Sequence, residues 1–435
     1  MKRYYRFLLC THILSLLFVA NSIWADSHLH ELLLKMPAIS GVEQLESDLY
    51  KEKYVMYISQ DIDPKNPDTG SFKQRLILCH VGFDRPTIMV TEGYFADYAL
   101  RKDYQDELSK LFNANVIVVE YRYFAKSVPQ PCNWDYLTVE NSLNDLHHVN
   151  QLFRTVYHDK WISTGISKGG QTTMFYRAFF PDDVDVSVPY VAPLNKALED
   201  GRHEPFLEKK VGTPSERRHL LDFQTEVLKR RDSLVPLFRE YCDKKNYTFR
   251  VPIGEIFDYC VLEYPFAIWQ WGTPIDLVPE VTATDSVLLN SLITYSEPNY
   301  FSEQSVFLPF NVQAVRELGY YGYDIKPFRK YLALKKSKDY MHRVMLPAEF
   351  SHLKFDKTLY RKTKRFLKKN DPGIIYIYGG IDPWGASGVG DIKFLRKKKN
   401  IKVYTLPKGS HRTRIGSFPK EQQDDIIRSI TKWLQ

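Results

Sequence analysis

A serine set among glycines is the feature of this chain that most directly predicts chemistry. The stretch Gly165–Gly170 follows a short apolar segment, Trp161–Thr164, and precedes a helical pattern over Gln171–Phe180. This context is typical of a sharp strand-to-helix turn that projects a serine hydroxyl above a sheet, with glycines where a Cβ would obstruct the backbone. The pattern predicts Ser167 as a nucleophile. A glycine-rich turn with an exposed serine gives the same letters, so the prediction depends on partners elsewhere in the chain.

Two later loops contain the acid and the base that such a serine needs. A histidine must remove the serine proton, and a carboxylate must orient that histidine. Asp382 follows the apolar segment Ile374–Tyr378, and His411 follows the next predicted strand. Taken singly, Asp382 is more typical of an Asp-Pro turn and His411 of a surface loop. Together they follow the order Ser, acid, His of the α/β-hydrolases, so the sequence predicts the triad Ser167, Asp382 and His411.

An oxyanion hole is predicted from two backbone N–H groups. One belongs to Lys168, directly after the nucleophile, and the other to Gly93 or Tyr94 in the loop Thr91–Tyr94. Amides at these two places are where this fold stabilises the developing negative charge. The Lys168 side chain is given no catalytic role, because covering the helix start or pairing with a carboxylate explains it equally well.

The order of strand-like and helix-like segments predicts an α/β fold with a mostly parallel sheet and flanking helices, the α/β-hydrolase fold. The predicted strands are Tyr54–Asp61, Phe72–Val81, Thr87–Thr91, Asn115–Tyr121, Trp161–Thr164, Val184–Val191, Gly373–Tyr378 and Ile401–Leu406. The predicted helices are Ala96–Phe112, Thr138–Tyr157, Gln171–Phe180, Leu359–Lys369 and Lys420–Leu434. The first two strands are expected to form an antiparallel pair.

The alternation stops after Pro193, and residues 195–346 show helical and loop patterns rich in charged and aromatic residues. We therefore expect four regions: a signal peptide over residues 1–25, a first part of the core over 26–194, a mainly helical cap over 195–346, and the rest of the core over 347–435. The cap would be an insertion after the strand that follows the nucleophile helix.

The first residues are typical of a secretory signal. Lys2, Arg3 and Arg6 form a positive start, and the apolar run Phe7–Ala20 is too short and too weakly flanked for a membrane span. The mature protein is expected to begin near Asp26, exported to a periplasm or out of the cell, without a stable membrane anchor.

The net charge of the chain argues against a nucleic-acid-binding protein. Of the formal net charge of +8, three positive charges belong to the predicted signal, which leaves a modest +5. The basic stretches Lys326–Lys369 and Arg396–Lys399 have helical spacing typical of solvated helix faces, so nucleic acid is not an expected partner.

Outside the signal the cysteines number four: Cys79, Cys132, Cys242 and Cys260. Cys242 with Cys260 is the easiest local disulfide, and buried free thiols are the alternative. Neither a metal site nor a cofactor is predicted.

Several motifs, cap included, together resemble a known family. They are Thr91–Tyr94, Val119–Phe124, Asn133–Thr138, Gly165–Gly170, Tyr190–Pro193, Glu263–Gln270, Tyr378–Gly385 and Gly409–Arg412. The chain resembles the secreted tripeptidyl and tetrapeptidyl aminopeptidases that prefer proline before the cut bond, serine peptidases distantly similar to the prolyl carboxypeptidases. The resemblance implies the nucleophile Ser167, the acid Asp382 and the base His411.

The segment Tyr264–Trp271 suggests how such a substrate is held. Aromatic residues at this spacing are more often helix core, but Phe266, Trp269 and Trp271 also fit an aromatic slot for proline, with Gln270 bonding the peptide. A free ammonium needs a desolvated carboxylate. The candidates are Glu92, Glu120 and Glu263. Each is also a possible internal partner of an arginine such as Arg122, and for Glu120 we favour that alternative.

The sequence thus predicts an exported serine exopeptidase that releases tri- or tetrapeptides from free N-termini through an acyl-enzyme. One alternative is a lipase or esterase, which shares the triad and differs in the cap. Another is an inactive secreted binding protein on a hydrolase scaffold. The charged cap without a long apolar stripe argues against lipid, and three triad members in order argue against loss of activity.

Overall fold

A nine-stranded sheet forms the centre of the protein. The structure is a computed structural model that describes residues 28–435, so the predicted signal peptide lies outside the described residues. The strands are β1 Ile39–Gln44, β2 Glu52–Asp61, β3 Ser71–His80, β4 Thr87–Thr91, β5 Asn115–Val119, β6 Trp161–Ile166, β7 Val186–Tyr190, β8 Gly373–Gly379 and β9 Ile401–Leu406. Their spatial order is β1-β2-β3-β5-β4-β6-β7-β8-β9.

The sheet changes from antiparallel to parallel at β5. β1, β2, β3 and β5 pair antiparallel, whereas β5, β4, β6, β7, β8 and β9 pair parallel. Alternate residues of the strands pack into apolar cores on opposite faces, as Ile117 and Val118 of β5 do. Burial on both faces explains why the parallel strands read as continuous apolar runs. The mostly parallel sheet with helices confirms the predicted α/β-hydrolase fold.

Ten helices of six or more residues are labelled here. They are α1 Glu107–Phe112, α2 Val139–Phe153, α3 Lys168–Phe179, α4 Pro214–Lys229, α5 Arg231–Lys244, α6 Ile253–Trp271, α7 Asp285–Tyr295, α8 Leu308–Gln313, α9 Thr358–Lys369 and α10 Lys420–Leu434. A helix over residues 28–35 precedes β1, and shorter helical turns connect the larger elements. No helix among residues 28–435 is long and apolar enough to cross a membrane.

The connection between β7 and β8 adds no strand to the sheet over residues 191–372 and contains α4 to α9. Its longest helix, α6, continues through Pro265. A proline inside a helix removes one backbone hydrogen bond, which leaves the carbonyl of Val261 without its helical donor. The side-chain amide of Gln224 on α4 donates to that carbonyl at 2.7 Å. This bond compensates the proline and ties α4 to α6.

Two local predictions differ from the structure. β1 gave no sequence signal because only Ile39 of its residues is buried, so it lacks an apolar alternation. The predicted helix Ala96–Phe112 is interrupted, and α1 begins only after Asp106. The Asp106 carboxylate accepts from the N–H groups of Leu108 and Ser109, which is how an N-cap starts a new helix.

All four cysteines of the described chain are free thiols. Cys79, Cys242 and Cys260 are buried and Cys132 is exposed. The local disulfide between Cys242 and Cys260 that the sequence suggested is therefore absent from the structure, and the alternative of buried free thiols describes three of the four positions. Burial raises the pKa of the Cys242 thiol to about 12, which keeps it protonated and unreactive at neutral pH.

Candidate active site

Ser167 occupies a strained turn between β6 and α3. Its backbone lies at φ 59° and ψ −120°, a conformation that residues other than glycine rarely adopt. The turn is possible because its neighbours lack side chains. A Cβ on Gly165 would lie 2.5 Å from the backbone of Gly169, and one on Gly170 would lie 2.4 Å from the carbonyl oxygen of Tyr190. The glycines of the motif therefore let strand, helix and neighbouring loop approach closely enough to present the serine.

Asp382 and His411 come together from two separate loops. Asp382 follows β8, His411 follows β9, and the Nδ1–H of His411 donates to Asp382 Oδ2 at 2.7 Å. The second carboxylate oxygen, Oδ1, accepts from the N–H of Trp384 at 3.1 Å. Asp382 is fully buried and His411 is almost so. The carboxylate is thus fixed at both oxygens and holds the imidazole with its other nitrogen, Nε2, free to accept a proton.

Ser167 and His411 line one cavity of about 840 Å³. It lies at the carboxyl ends of the parallel strands, where open α/β sheets bind ligands. The helical connection between β7 and β8 supplies much of its wall. The lining residues from that connection are Glu263, Ala267, Gln270, Trp271, Tyr295, Ser296, Glu297, Tyr300, Phe301, Phe307, Phe310, Tyr320 and Tyr321. The cavity therefore joins the predicted nucleophile and base to a mostly aromatic wall.

The residues predicted for the oxyanion hole meet at the start of α3. Lys168 is the first residue of α3, directly after Ser167. Gly93 packs so closely on it that a Cβ there would lie 2.6 Å from Lys168 Cβ. Tyr94 lines the cavity and packs edge-on against Phe124 and Phe307. Both loops thus bring backbone beside the nucleophile, as an oxyanion hole requires.

The side chain of Lys168 is buried behind this loop. Its ammonium donates to the carbonyl of Gly93 at 2.7 Å and lies 3.3 Å from the ring centroid of Tyr121. Burial lowers the pKa of Lys168 well below its ordinary value. The side chain therefore braces the Gly93 loop from within the protein, and it does not line the cavity.

Two of the three candidate carboxylates face the cavity. Glu92 and Glu263 line it, and burial raises the pKa of each carboxyl to about 7. Glu92 accepts a hydrogen bond from the hydroxyl of Tyr98. Glu263 accepts from the hydroxyls of Tyr321 at 2.9 Å and Tyr323 at 2.8 Å. A carboxyl whose main partners are hydroxyls and whose charge is poorly solvated is suited to binding a cation.

Glu120 lies away from the cavity and has internal partners. It is fully buried, forms an ion pair with Arg75, and accepts from the N–H of Ala96 at 3.1 Å. The arginine that the sequence suggested, Arg122, instead pairs with Asp145 at 2.6 Å. Glu120 therefore stabilises the loop after β5 and does not line the cavity.

The pKa of Glu263 predicts how its replacement changes stability. An acid whose folded pKa is raised stabilises the fold most when protonated, and this contribution is lost as the pH rises from the unfolded value of 4.5 to about 7. We expect Glu263→Gln to match the wild type in unfolding free energy near pH 4 and to exceed it by about 3 kcal/mol at pH 8. Denaturant unfolding of both proteins at the two pH values measures this difference.

The exposed Glu349 serves as the control for this measurement. Glu349→Gln removes the same charge from the surface, so its stability relative to the wild type should not change between the two pH values. A Glu263→Gln protein with the same pH profile as the wild type would contradict the prediction.

The aromatic residues of α6 divide between core and cavity. Phe266 is buried and stacks on Tyr321, with ring centroids 3.9 Å apart, and Trp269 packs against Gly212 outside the cavity. Gln270 and Trp271 line the cavity, and Trp271 makes an edge contact with the His411 ring at 5.7 Å. Phe266 and Trp269 are therefore core residues, the alternative that the sequence left open, whereas Gln270 and Trp271 lie at the site.

Trp384 is a cavity residue that the sequence analysis did not single out. It lines the cavity and packs edge-on against Tyr320 and Phe266, at centroid distances of 5.2 and 5.3 Å. Its position two residues after Asp382 was the available signal, since a residue so close to the predicted catalytic acid must lie near the site. Among residues 28–435, no group of three or more His, Cys, Asp or Glu side chains is arranged to hold a metal ion.

Comparison with known proteins identifies the family. A family model described as PS-10 peptidase S37 matches residues 25–434, nearly the whole chain. The chain belongs to peptidase family S37. It is accordingly a serine peptidase with an α/β-hydrolase fold, and the predicted resemblance is confirmed.

The family assignment agrees with individual relatives. The chain is 27% identical over 425 residues to the prolyl tri/tetrapeptidyl aminopeptidase of Streptomyces mobaraensis, covering 95% of this chain and 87% of that protein. It is 28% identical over 154 residues to the probable serine protease EDA2 of Arabidopsis thaliana, covering 31% and 32% of the two chains. A crystal structure of a proline iminopeptidase of Mycobacterium smegmatis covers 91% of this chain and 99% of its own, at 10% identity and a TM-score of 0.37. That structural likeness is too low to bear on function.

Proposed function

We propose that this S37 peptidase is an exported aminopeptidase that releases tri- or tetrapeptides from free N-termini, with proline before the scissile bond. The observation that carries the proposal is that Ser167, His411 and the buried carboxyl of Glu263 line one cavity. That arrangement combines acyl-transfer chemistry with a group suited to a substrate ammonium. The named relative from Streptomyces mobaraensis supports the peptide length and the proline. Residues 195–346 act as a cap that closes the site, and residues 1–25 direct export.

The proposed chemistry is supported by the hydrogen bond between Asp382 and His411 and by the cavity that His411 shares with Ser167. His411 Nε2 accepts the proton of Ser167 Oγ while that oxygen attacks the carbonyl carbon of the substrate. Asp382 stabilises the resulting imidazolium through its 2.7 Å bond to Nδ1. Backbone N–H groups of Lys168 and of the Gly93–Tyr94 loop hold the oxyanion. His411 then protonates the leaving amine, and a water molecule hydrolyses the acyl-enzyme by the same steps in reverse.

Recognition of proline is assigned to aromatic side chains beside the catalytic pair. Trp271 contacts His411, and Trp384 lies on the loop of Asp382. Both side chains line the cavity, and a flat pyrrolidine ring packs well on indole faces. These two tryptophans replace Phe266 and Trp269 as the favoured proline contacts, because the latter pair packs in the core.

Three chromogenic substrates test the proposed function. We expect the purified mature protein to hydrolyse Ala-Ala-Pro p-nitroanilide at least 10-fold faster, in kcat/KM, than Ala-Ala-Ala p-nitroanilide, because a lost apolar contact costs about 1–3 kcal/mol. The N-acetylated Ala-Ala-Pro substrate should be hydrolysed at least 10-fold more slowly than the free amine.

The alternatives make different predictions in the same assay. Equal turnover of the proline and alanine substrates would remove the proline preference. Preferred hydrolysis of a fatty-acid p-nitrophenyl ester would indicate a lipase, and binding of the peptides without turnover would indicate an inactive binding protein.

A further inference from the structure

Glu263 is an unusual group to find in the wall of a substrate cavity. Its side chain is about nine-tenths buried, yet it forms no ion pair with any lysine, arginine or histidine within residues 28–435. Some other buried carboxylates are paired with an arginine, as Asp145 is with Arg122 and Asp258 with Arg231. A buried carboxylate without a cation costs stability, and a bound cationic ligand would offset that cost.

The hydrogen bonds of Glu263 leave room for that ligand. Among residues 28–435, its two oxygens accept hydrogen bonds from the hydroxyls of Tyr321 and Tyr323 alone. An ionised carboxylate has about four acceptor positions, so roughly half of its capacity is unused. Tyr300 and Tyr320 line the same cavity, and aromatic rings attract cations. A carboxylate beside aromatic rings is suited to binding an ammonium group.

Glu92, the other candidate carboxylate that lines the cavity, fits this role less well. Glu92 directly precedes Gly93, so it lies beside the position of the scissile carbonyl, where a terminal amine three or four residues away does not reach. The charge of Lys168 also lowers the pKa of Glu92, so this carboxyl already has an internal cation nearby. The pKa of Glu263, by contrast, is lowered only by hydrogen bonds from tyrosine hydroxyls.

Helix α6 sets the distance between Glu263 and the catalytic histidine. The backbone carbonyl of Gln270 accepts from the backbone N–H of His411 at 2.8 Å, which attaches the end of α6 to the catalytic loop. Glu263 lies seven residues before Gln270 on the same helix. Seven residues are close to two full turns, so both residues face the same side, roughly 10 Å apart along the axis.

That distance corresponds to a definite number of substrate residues. An extended peptide advances roughly 3.3–3.6 Å per residue, so three residues span about 10 Å, two about 7 Å and four about 14 Å. Resting on the proposed function, we propose that Glu263 binds the free N-terminal ammonium of the substrate and that its position on α6 selects cleavage after the third residue.

Glu263→Gln tests the binding role, with Glu297→Gln as the matched control. Glu297 also lines the cavity and also accepts from a tyrosine hydroxyl, that of Tyr241 at 3.0 Å, but it lies outside α6. We expect Glu263→Gln to lower kcat/KM for Ala-Ala-Pro p-nitroanilide 10- to 100-fold, since a hydrogen bond between charged groups is lost. The variant should no longer distinguish this substrate from its N-acetylated form. Glu297→Gln should keep the wild-type preference.

A probe that carries no amine separates binding from damage to the catalytic residues. A fluorophosphonate should label Ser167 at the same rate in the wild type and in Glu263→Gln. Equal loss of labelling and peptidase activity would indicate a structural role for Glu263 and overturn its assignment as the amine-binding residue. Loss of the amine preference in Glu297→Gln instead would overturn it as well.

Product analysis by mass spectrometry tests the length selection. Three peptides with a single proline at position 2, 3 or 4 from a free N-terminus should differ, and the one with proline at position 3 should be cleaved at least 10-fold faster. Equal release of dipeptides or tetrapeptides by the wild type would overturn the selection by α6. A wild type that cleaves none of the peptides would overturn the proposed function itself, and the inference with it.

Discussion

Ser167→Ala is expected to lower kcat for peptide hydrolysis by about 10⁵- to 10⁶-fold. The backbone at this position has a positive φ of 59°, and an alanine takes that strained conformation about as readily as a serine does. The variant should therefore fold normally and keep its cavity, with only the attacking oxygen missing. Residual hydrolysis would come from the oxyanion hole and from substrate binding.

Chromogenic turnover and fluorophosphonate labelling measure this effect. Ser163→Ala is the matched control, because Ser163 lies on the same strand, β6, and its hydroxyl donates to Ser187 in the interior. The control should be labelled like the wild type, whereas Ser167→Ala should not be labelled at all. Equal labelling of the Ser167→Ala protein would show that another residue is the nucleophile.

The second large effect is expected from Asp382→Asn, with a loss of about 10⁴-fold in kcat. The carboxylate accepts from His411 Nδ1–H, which leaves Nε2 unprotonated and able to act as a base. An asparagine of the same size presents its NH₂ group to Nδ1. The imidazole then carries its proton on Nε2, the wrong nitrogen for removing the proton of the serine.

Asp391→Asn provides the comparison for this variant. Asp391 is an exposed carboxylate between β8 and β9, outside the cavity, and its replacement should leave kcat unchanged. The thermal unfolding midpoints of both variants show whether the loss reflects the tautomer or the fold. An Asp382→Asn protein with wild-type kcat would remove Asp382 from the mechanism.

Patterns within single segments predicted much of the fold. β4 and α10 have the predicted bounds, because a wholly buried strand and an amphipathic helix each show their environment in consecutive residues. β1 and the break before α1 were missed, since neither is specified by apolar periodicity. β1 is held by pairing with β2, and α1 begins at the side-chain cap of Asp106.

The same distinction between local sequence patterns and tertiary contacts applies to the active site. The motif around Ser167 was informative because the turn is determined by residues adjacent in the chain, where glycines permit contacts of 2.5 Å that a Cβ would block. Which side of α6 faces the cavity is determined by packing against distant helices and loops. For that reason the sequence predicted Phe266, Trp269, Gln270 and Trp271 alike as substrate-binding residues. It did not distinguish the residues that pack in the core from those that line the cavity.

By itself the sequence determined the fold class, the peptidase family and the order of Ser167, Asp382 and His411, because each depends on local patterns that repeat wherever the fold occurs. Only the tertiary structure showed which of the candidate carboxylates faces the cavity and which is paired in the interior. It placed Glu120 beside Arg75 in the interior and left Glu263 facing the cavity, with no ion pair to any other residue in the range 28–435. The burial and charge of a side chain depend on which distant residues pack around it, and no local pattern in the chain contains that information.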